Sequence, residues 1–596
     1  MHFVQVVGRL KDGITLSQAQ SDFNAVGAGI AQADPNGHAN ATLKLVSLRD
    51  QIVGNVRPIL VVLLVAVTFV LLIACANVAN LFLVRSASRQ KEMAVRITLG
   101  ASRGRLARQL LIESLLLSGI GGLMGLGLAH WGITFLVNAI PAAQLANMPY
   151  LRSVGMNTNV LGYTAVISVL SGVIFALVPV FHANKTNLNS TLKEGGRSSG
   201  SAVRSRLRNA LVVAEIALTL LLMIGVGLML KSTKRLLSVD PGFDTRNLLT
   251  LRMALADPGY AKPTQRAAFQ QQLIERLQSL PGISSAATVG KLPLSGGGDT
   301  GTPIIDGRAN DSKLTGPEAN VRTVSANYFG TMGVPLVTGR VFSAQDTLDA
   351  PNVLVVNQAF VHIFFPNQNA VGHTLAFIWN NKQRTIVGVV GDENVNTLDV
   401  AVTPVIYFPY TQDPEQSLNV VVRTTQNPLS LAAAVRAEIR SMDRALPVFG
   451  VTSMSQRIQD SPASFTRRYP AILIGIFAGV AVLLAAIGLY GVISYSVAQR
   501  TQELGVRIAL GAQRRDIFKL VLGQGLLVTI VGIAIGLAGS FALTRFLSSL
   551  LFEVSPNDPT IIAGVSALMI LVALAACYFP TRRAANVDPL VALRYE

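Results

Sequence analysis

Seven stretches of this chain are apolar over roughly the 20 residues a helix needs to cross the hydrocarbon core of a bilayer, and nothing else in the sequence constrains the fold as tightly. Four form a first cluster at 59–84, 114–137, 160–181 and 210–230. Three form a second at 471–497, 520–544 and 560–577. A long polar region, 231–468, separates them. Half the residues are hydrophobic and only 14% are charged, which argues against an ordinary soluble enzyme of 596 residues. The expectation is an α-helical polytopic membrane protein with seven spans.

The formal net charge of +18 raises the question of nucleic acid, and the placement of the basic residues answers it. Arg85, Arg89, Lys91, Arg96, Arg103, Arg105 and Arg108 follow the first span. Lys185, Lys193, Arg197, Arg204, Arg206 and Arg208 follow the third. Arg500, Arg507, Arg514, Arg515 and Lys519 follow the fifth, and Arg582, Arg583 and Arg594 follow the seventh, whereas the intervening loops offer only Arg152 and Arg545. Such a one-sided bias marks cytoplasmic loops. It puts 1–57 and 231–468 outside and the C-terminus inside, and it makes the charge topological, with no nucleic-acid partner expected.

The two clusters are copies of one another. Arg89 to Ala101 reads RQKEMAVRITLGA and Arg500 to Ala512 reads RTQELGVRIALGA; the pairs Glu92/Glu503, Val95/Val506, Arg96/Arg507, Leu99/Leu510 and Gly100/Gly511 are identical. In the same register the next span repeats a small-xxx-small face, Gly121/Gly125 against Gly532/Gly536, of the kind that lets helices approach closely in lipid. The tails Asn187–Lys193 and Asp588–Arg594 also correspond. Ahead of each three-span module, alternation followed by an amphipathic run reads as strand then helix: 4–9 then 17–31, and 419–423 then 429–442.

The expected domain plan is therefore a remnant of a first outer domain (1–57), a three-span module (58–181), a cytoplasmic linker (182–209), a span (210–230), an α+β outer domain (231–468) and a second three-span module with its tail (469–596). The repeat unit is one span, an outer domain and three spans, and only the second copy is whole. N-terminal truncation is the corresponding expectation, tested by whether the upstream DNA encodes a further span and strand-rich domain in frame.

The repeated Glu-x2-Val-Arg-Ile-x-Leu-Gly-Ala loop, the DPLVALR tail from Asp588, and the outer-domain strings DPGFD from Asp240, NYFG from Asn327, Gly339-Arg340 and VVNQAF from Val355 together resemble the FtsX-like permease and macrolide-exporter MacB family, in its duplicated, acidobacterial orphan-permease form. The resemblance covers nearly the whole chain. It implies a MacB-type periplasmic domain, a place in the bacterial inner membrane, and motion of the outer domains driven by a cytoplasmic ABC ATPase. No Gly-x4-Gly-Lys-Ser/Thr phosphate loop occurs, so no cofactor is expected on this chain and ATP is expected on a partner subunit. Gly195–Gly200 reads as a flexible linker, and Ser295–Gly298 as a mobile loop.

In the two duplicated loops, a helix-compatible run ends at Gly100 or Gly511 and a new helix restarts beyond it into the next span. These are the predicted ATPase-coupling helices, carried by Glu92, Val95, Arg96, Leu99, Gly100, Glu503, Val506, Arg507, Leu510 and Gly511. Glu92/Arg96 and Glu503/Arg507 stand four apart, so the bland reading is local helix support plus the basic bias of the loops. Gly121, Gly125, Gly532 and Gly536 are the predicted helix-packing positions. Glu215 is the one carboxylate well inside an apolar segment, either an intramembrane functional acid or an interfacial residue that is paired with Arg208 or solvated.

Catalysis on this chain is not expected. His2, His38, His130, His182, His362 and His373 are scattered, with no HExxH or GxSxG motif, and Cys75 and Cys577 lie in apolar runs away from any metal-ligand spacing. The leading function is a permease subunit of an export or mechanotransmission system. The alternative is an FtsX-like regulator of periplasmic cell-wall enzymes that moves no substrate, and an ion-coupled secondary transporter ranks last for want of ionisable groups at mid-membrane. The expected partners are the ATPase and the lipid bilayer, and periplasmic or outer-membrane partners are compatible with this reading.

Overall fold

The computed structural model describes residues 6–33, 44–54, 57–88, 103–138, 140, 155–184, 199–255, 258–295, 299–306, 317–377, 380–547 and 551–586. The chain divides into two compact units, Met1–Val56 with Lys234–Thr466 and Arg57–Thr233 with Arg467–Glu596.

The membrane unit is helical. The apolar stretches become the helices Arg57–Ser88, Arg103–Asn138, Thr158–Asn184, Ser199–Leu237, Pro462–Gln499, Arg514–Leu547 and Pro559–Ala585. Six of them carry windows long and apolar enough to cross a bilayer, and Thr158–Val173 is a shorter apolar stretch at the start of the third. Helices run beyond the apolar residues because basic and polar flanks continue the helical hydrogen bonding. Ser199–Leu237, at 39 residues, is about 58 Å long at 1.5 Å per residue, against a hydrocarbon core of about 30 Å.

Among the described residues, two clusters hold this unit together. In one, Val212, Ile216, Leu220, Ile224 and Leu228 of the fourth-span helix pack with Leu489, Val492 and Ile493 of the fifth, Val521 and Val528 of the sixth and Met569 and Ala573 of the seventh. In the other, Ala66 and Ile73 of the first-span helix meet Leu222 and Met229 of the fourth and Ala471, Ala478 and Ala481 of the fifth. Asp558 caps the last helix through the Thr560 and Ile561 amides and pairs with Lys231, which ties the end of the fourth span to the start of the seventh.

Among the described residues the second unit is built on a mixed 12-stranded sheet, ten strands in one path and two off it, Asp299–Gly301 beside Ala319–Val324 and Leu336–Gly339 beside Asn380–Val390. Its hydrogen-bonded order runs Val448–Ser453, Leu248–Ala254, Ser417–Thr424, Ile283–Val289, Ala319–Val324, Val405–Pro409, Val353–Asn357, Asn380–Val390, Thr374–Phe377, Pro303–Ile305. The helix Pro263–Gln278 starts with proline at its first position and buries Phe269, Leu273 and Leu277, one face at four-residue spacing. That face packs with Val435 and Ile439 of Ala432–Met442 over Leu249, Leu251, Val420 and Val422. A second core gathers Leu354, Val356, Phe360, Ile386 and Ile406.

Three residues of the strings that carried the family resemblance, Asp244, Tyr328 and Asn357, are tied into this domain by hydrogen bonds. Arg423 donates to the carbonyls of Thr331, Arg246 and Asp244 at 2.8, 2.9 and 3.0 Å. Asn357 caps Gln358–Phe364 and also bonds Thr403 and Val405. Fully buried Glu393 accepts from the hydroxyls of Tyr328 and Tyr407; burial pushes its carboxyl pKa up, against the lowering effect of those two bonds.

One local expectation fails. The alternation at 4–9 predicts a strand, whereas residues 6–10 form no strand, although the helix that follows, Leu16–Ala33, is present. A strand exists through its ladder, and this segment has no partner strand among the described residues. Its counterpart, Ser417–Thr424, lies between two others and pairs along its whole length.

Candidate functional site

The fifth-span helix ends at Gln499, and Arg500 takes a non-helical conformation (φ −104°, ψ 14°) before the chain turns into the short helix Thr501–Ala509. The junction stays hydrogen-bonded: the Arg500 amide donates to the Val497 carbonyl at 3.1 Å, and Thr501 Oγ1 donates to the Ala498 carbonyl at 3.0 Å. On the inner face Leu504 is buried and belongs to the main cluster of the bundle, with Ile508 packed against it. A shallow groove beneath the helix is lined by Ile493, Val497, Arg500, Leu504, Leu520 and Gln524, among others.

The helix ends in a Schellman turn. Gly511 sits at φ +100°, its amide donates to the Ile508 carbonyl at 3.0 Å, and the Ala512 amide reaches the Arg507 carbonyl at 2.9 Å. A non-glycine residue would be strained at that φ. The next helix opens with half a capping box, in which the Gln513 amide donates to Asp516 Oδ2 at 3.0 Å. It then runs on as Arg514–Leu547 into the sixth span.

The predicted coupling residues of the second module therefore have distinct places. Glu503, Val506, Arg507 and Leu510 are exposed, and Gly511 makes the turn. Arg507 donates to Glu503 at 2.7 Å, and Leu510 is 83% exposed. Their counterparts Glu92, Val95, Arg96, Leu99 and Gly100 lie outside the described residues. The result is a short helix bolted inward by apolar contacts and presenting an ion pair flanked by apolar side chains outward.

Glu215 lies where three helices meet. It is fully buried, and neither carboxyl oxygen has a hydrogen-bond partner among the described residues. Thr219 Oγ1 donates to the Glu215 carbonyl at 2.7 Å, and Asn77 of the first-span helix donates through Nδ2 to the Leu484 carbonyl at 3.0 Å. Gly488 leaves the room: a Cβ there would lie 2.3 Å from Glu215 Oε2 and 2.7 Å from Asn77 Oδ1. Arg208 does not pair with Glu215; it stacks 4.3 Å from the Tyr495 ring centroid. Neither the solvated nor the Arg208-paired placement of Glu215 is what the structure contains, because helix crossing carries the side chain into the bundle. Sequence reasoning missed Asn77 and Gly488, which have no motif and join the site only through the crossing.

The predicted packing glycines divide by module. A Cβ at Gly532 would lie 2.8 Å from the Ile216 side chain, and one at Gly536 would lie 2.8 Å from Leu220 and 3.0 Å from the Ala217 carbonyl. At Gly121 and Gly125 nothing among the described residues comes within 4 Å.

Residues 64–188 and 475–589 match the FtsX-like permease C-terminal domain, and residues 210–441 match the MacB-like periplasmic core domain. The macrolide export ATP-binding/permease protein MacB of Agrobacterium fabrum (strain C58) is 29% identical over 294 residues, covering 46% of this chain and 43% of that protein. The MacB of Azoarcus sp. (strain BH72) is 25% identical over 440 residues, covering 70% of this chain and 61% of that protein. This chain thus spans about half the length of the known relatives it matches. The solved periplasmic region of MacB from Actinobacillus actinomycetemcomitans aligns over 38% of this chain and 96% of its own length, with 17% identity and a TM-score of 0.26.

Proposed function

Since the chain belongs to the MacB and FtsX-like permease family, we propose that it is the permease subunit of an ABC-type export or mechanotransmission system, in which a separate cytoplasmic ATPase binds and hydrolyses ATP and this chain carries the motion to its periplasmic domain. The observation that carries this reading is the helix Thr501–Ala509, fastened to the bundle through Leu504, exposing Glu503, Val506, Arg507 and Leu510, and continuous through a hydrogen-bonded turn with the sixth span.

A floppy loop would dissipate a push delivered at its surface. A helix seated on the bundle and joined to a span by a closed turn transmits it. In this reading the loops bearing Arg507 and Arg96 face the cytoplasm, the C-terminus lies on the same side, and each module offers one contact to the ATPase. The outer domain selects the cargo or partner by shape.

The test is charge reversal at both contacts, Arg96→Glu with Arg507→Glu. Co-purification of the ATPase with this chain is expected to be lost while the chain still inserts and stays monodisperse; unchanged co-purification overturns the reading. An assay of amphiphile export against one of periplasmic hydrolase activation, run with an ATPase-dead partner, separates export from an FtsX-like regulatory role.

A further inference from the structure

A carboxyl group closed inside a membrane bundle has to be neutralised, because an isolated ion in apolar surroundings is among the most costly groups a fold can hold. Glu215 is 0% exposed, and its helix neighbours Ile216 and Leu220 belong to the main apolar cluster. No basic side chain among the described residues pairs with it. Arg208, the nearest basic residue along the same helix, lies about two turns away and stacks on Tyr495.

The first-span helix brings further oxygens to this acid. Asn77 is 7% exposed, and its Nδ2 is committed to the Leu484 carbonyl at 3.0 Å. Its Oδ1 is thereby turned toward Gly488, where it borders the same small space as Glu215 Oε2. Asn80 follows three residues later on the same side of the helix. It is 6% exposed, and neither its amide oxygen nor its amide nitrogen has a hydrogen-bond partner among the described residues. One turn beyond Glu215, Thr219 Oγ1 reaches the Glu215 and Ala481 carbonyls at 2.7 and 3.4 Å. Buried polar atoms in folded proteins are nearly always matched, so an unmatched acid beside an unmatched amide calls for a ligand.

We propose that Glu215, Asn77 and Asn80 hold a sodium ion at the seam between the two modules. Carboxylate and amide oxygens are hard donors, suited to alkali and alkaline-earth cations. One carboxylate among neutral amides matches a single positive charge, whereas a divalent ion would leave a net charge in apolar surroundings. A proton would neutralise the acid but serve one oxygen, leaving the second carboxyl oxygen and the Asn80 oxygen unmatched; water would leave the charge. The space is tight, since even a carbon added at Gly488 would lie 2.3 Å from Glu215 Oε2, which favours the smaller alkali ion. Such an ion ties the first-span helix to the fourth and fifth, and the proposal does not depend on the ATPase contact.

The experiment uses the whole chain in nanodiscs of zwitterionic lipid, with sodium chloride against N-methylglucamine chloride at fixed pH and ionic strength. Sodium is expected to raise the melting temperature of the parent saturably, by about 3 °C or more, and radioactive sodium to bind at about one ion per chain. Glu215→Gln keeps the side-chain shape; it is expected to melt like the parent in N-methylglucamine, to show no sodium shift and to bind about tenfold less sodium. Asn80→Leu keeps the acid, and is expected to raise the half-saturating sodium concentration about fivefold. A parent indifferent to sodium in both measurements overturns the proposal in favour of a proton on the acid. Sodium binding that is equal in the parent and both variants overturns it in favour of an ion held elsewhere.

Discussion

Arg507 reaches back one helical turn to donate a 2.7 Å hydrogen bond to Glu503, and the two side chains are 48% and 47% exposed. A pair this open to water stabilises its own helix by only about 0.3–0.5 kcal/mol. Glu503→Ala is therefore expected to leave the melting temperature of the chain nearly unchanged. The same substitution is expected to weaken ATPase association measurably. A fall in melting temperature with association intact would identify the pair as local helix support.

Two leucines six residues apart on this helix are expected to separate folding from coupling. Leu504 is buried in the bundle cluster, and Leu504→Ala is expected to cost about 2–5 kcal/mol of stability, read by thermal denaturation in nanodiscs. Leu510 is exposed, and Leu510→Asp is expected to melt like the parent while losing partner-stimulated ATP hydrolysis. Equal melting for both variants would count against the seating of the helix.

At Gly511 the backbone is left-handed, so Gly511→Val is expected to cost about 1–2 kcal/mol and to uncouple the short helix from the sixth span. Partner binding would persist in this variant while the stimulated activity falls. Loss of both together would place the residue in the contact rather than in the turn.

Gly488 and Glu215 are expected to be energetically coupled, because a methyl group at 488 would overlap the carboxyl. Gly488→Ala is expected to destabilise the chain by about 1–3 kcal/mol, and most of that loss to vanish in the Glu215→Ala background. Additive effects in this double-mutant cycle would exclude direct contact. Glu215→Gln keeps the shape and is expected to preserve partner-driven activity; its loss would assign the acid a gating or proton role.

In the outer domain Asp346 is gripped by Arg340 through two 2.9 Å bonds and accepts from the Ser343 amide at 2.8 Å. Burial raises its carboxyl pKa, but these bonds more than offset that and hold it below the usual range. A depressed acid stabilises the fold above its unfolded value near about 4 and loses that contribution as pH falls through the folded value. The parent is expected to lose stability over that acid limb, and Asp346→Asn to be destabilised by about 1–3 kcal/mol at neutral pH with a flatter limb. An unchanged limb would remove Asp346 from the titration.

Hydropathy made the spans legible because a helix in lipid must satisfy its backbone internally, which leaves an uninterrupted apolar run. The short helix at Thr501–Ala509 was legible from local signals, with Gly511 ending it and the duplicated loop giving the register. Contacts between distant segments were not. Asn77, Glu215 and Gly488 come together through helix crossings that no local pattern encodes, and the segment at residues 6–10 showed that alternation alone does not make a strand. The order of the outer sheet was hidden for the same reason: Leu248–Ala254 pairs with Ser417–Thr424, across most of the domain in sequence.

The closed corner at Gly511 also sets a mechanical ratio. The short helix of 9 residues is an arm of about 14 Å, and the 34-residue helix beyond the corner is one of about 51 Å. If the corner holds its angle, a displacement of about 2 Å at the tip of the short arm tilts both by about 8°, and the far end of the long arm sweeps about 7 Å. The geometry is that of a lever with three- to fourfold amplification, which under the proposed function would convert a small closure at the short helix into a larger stroke at the far end of the long one.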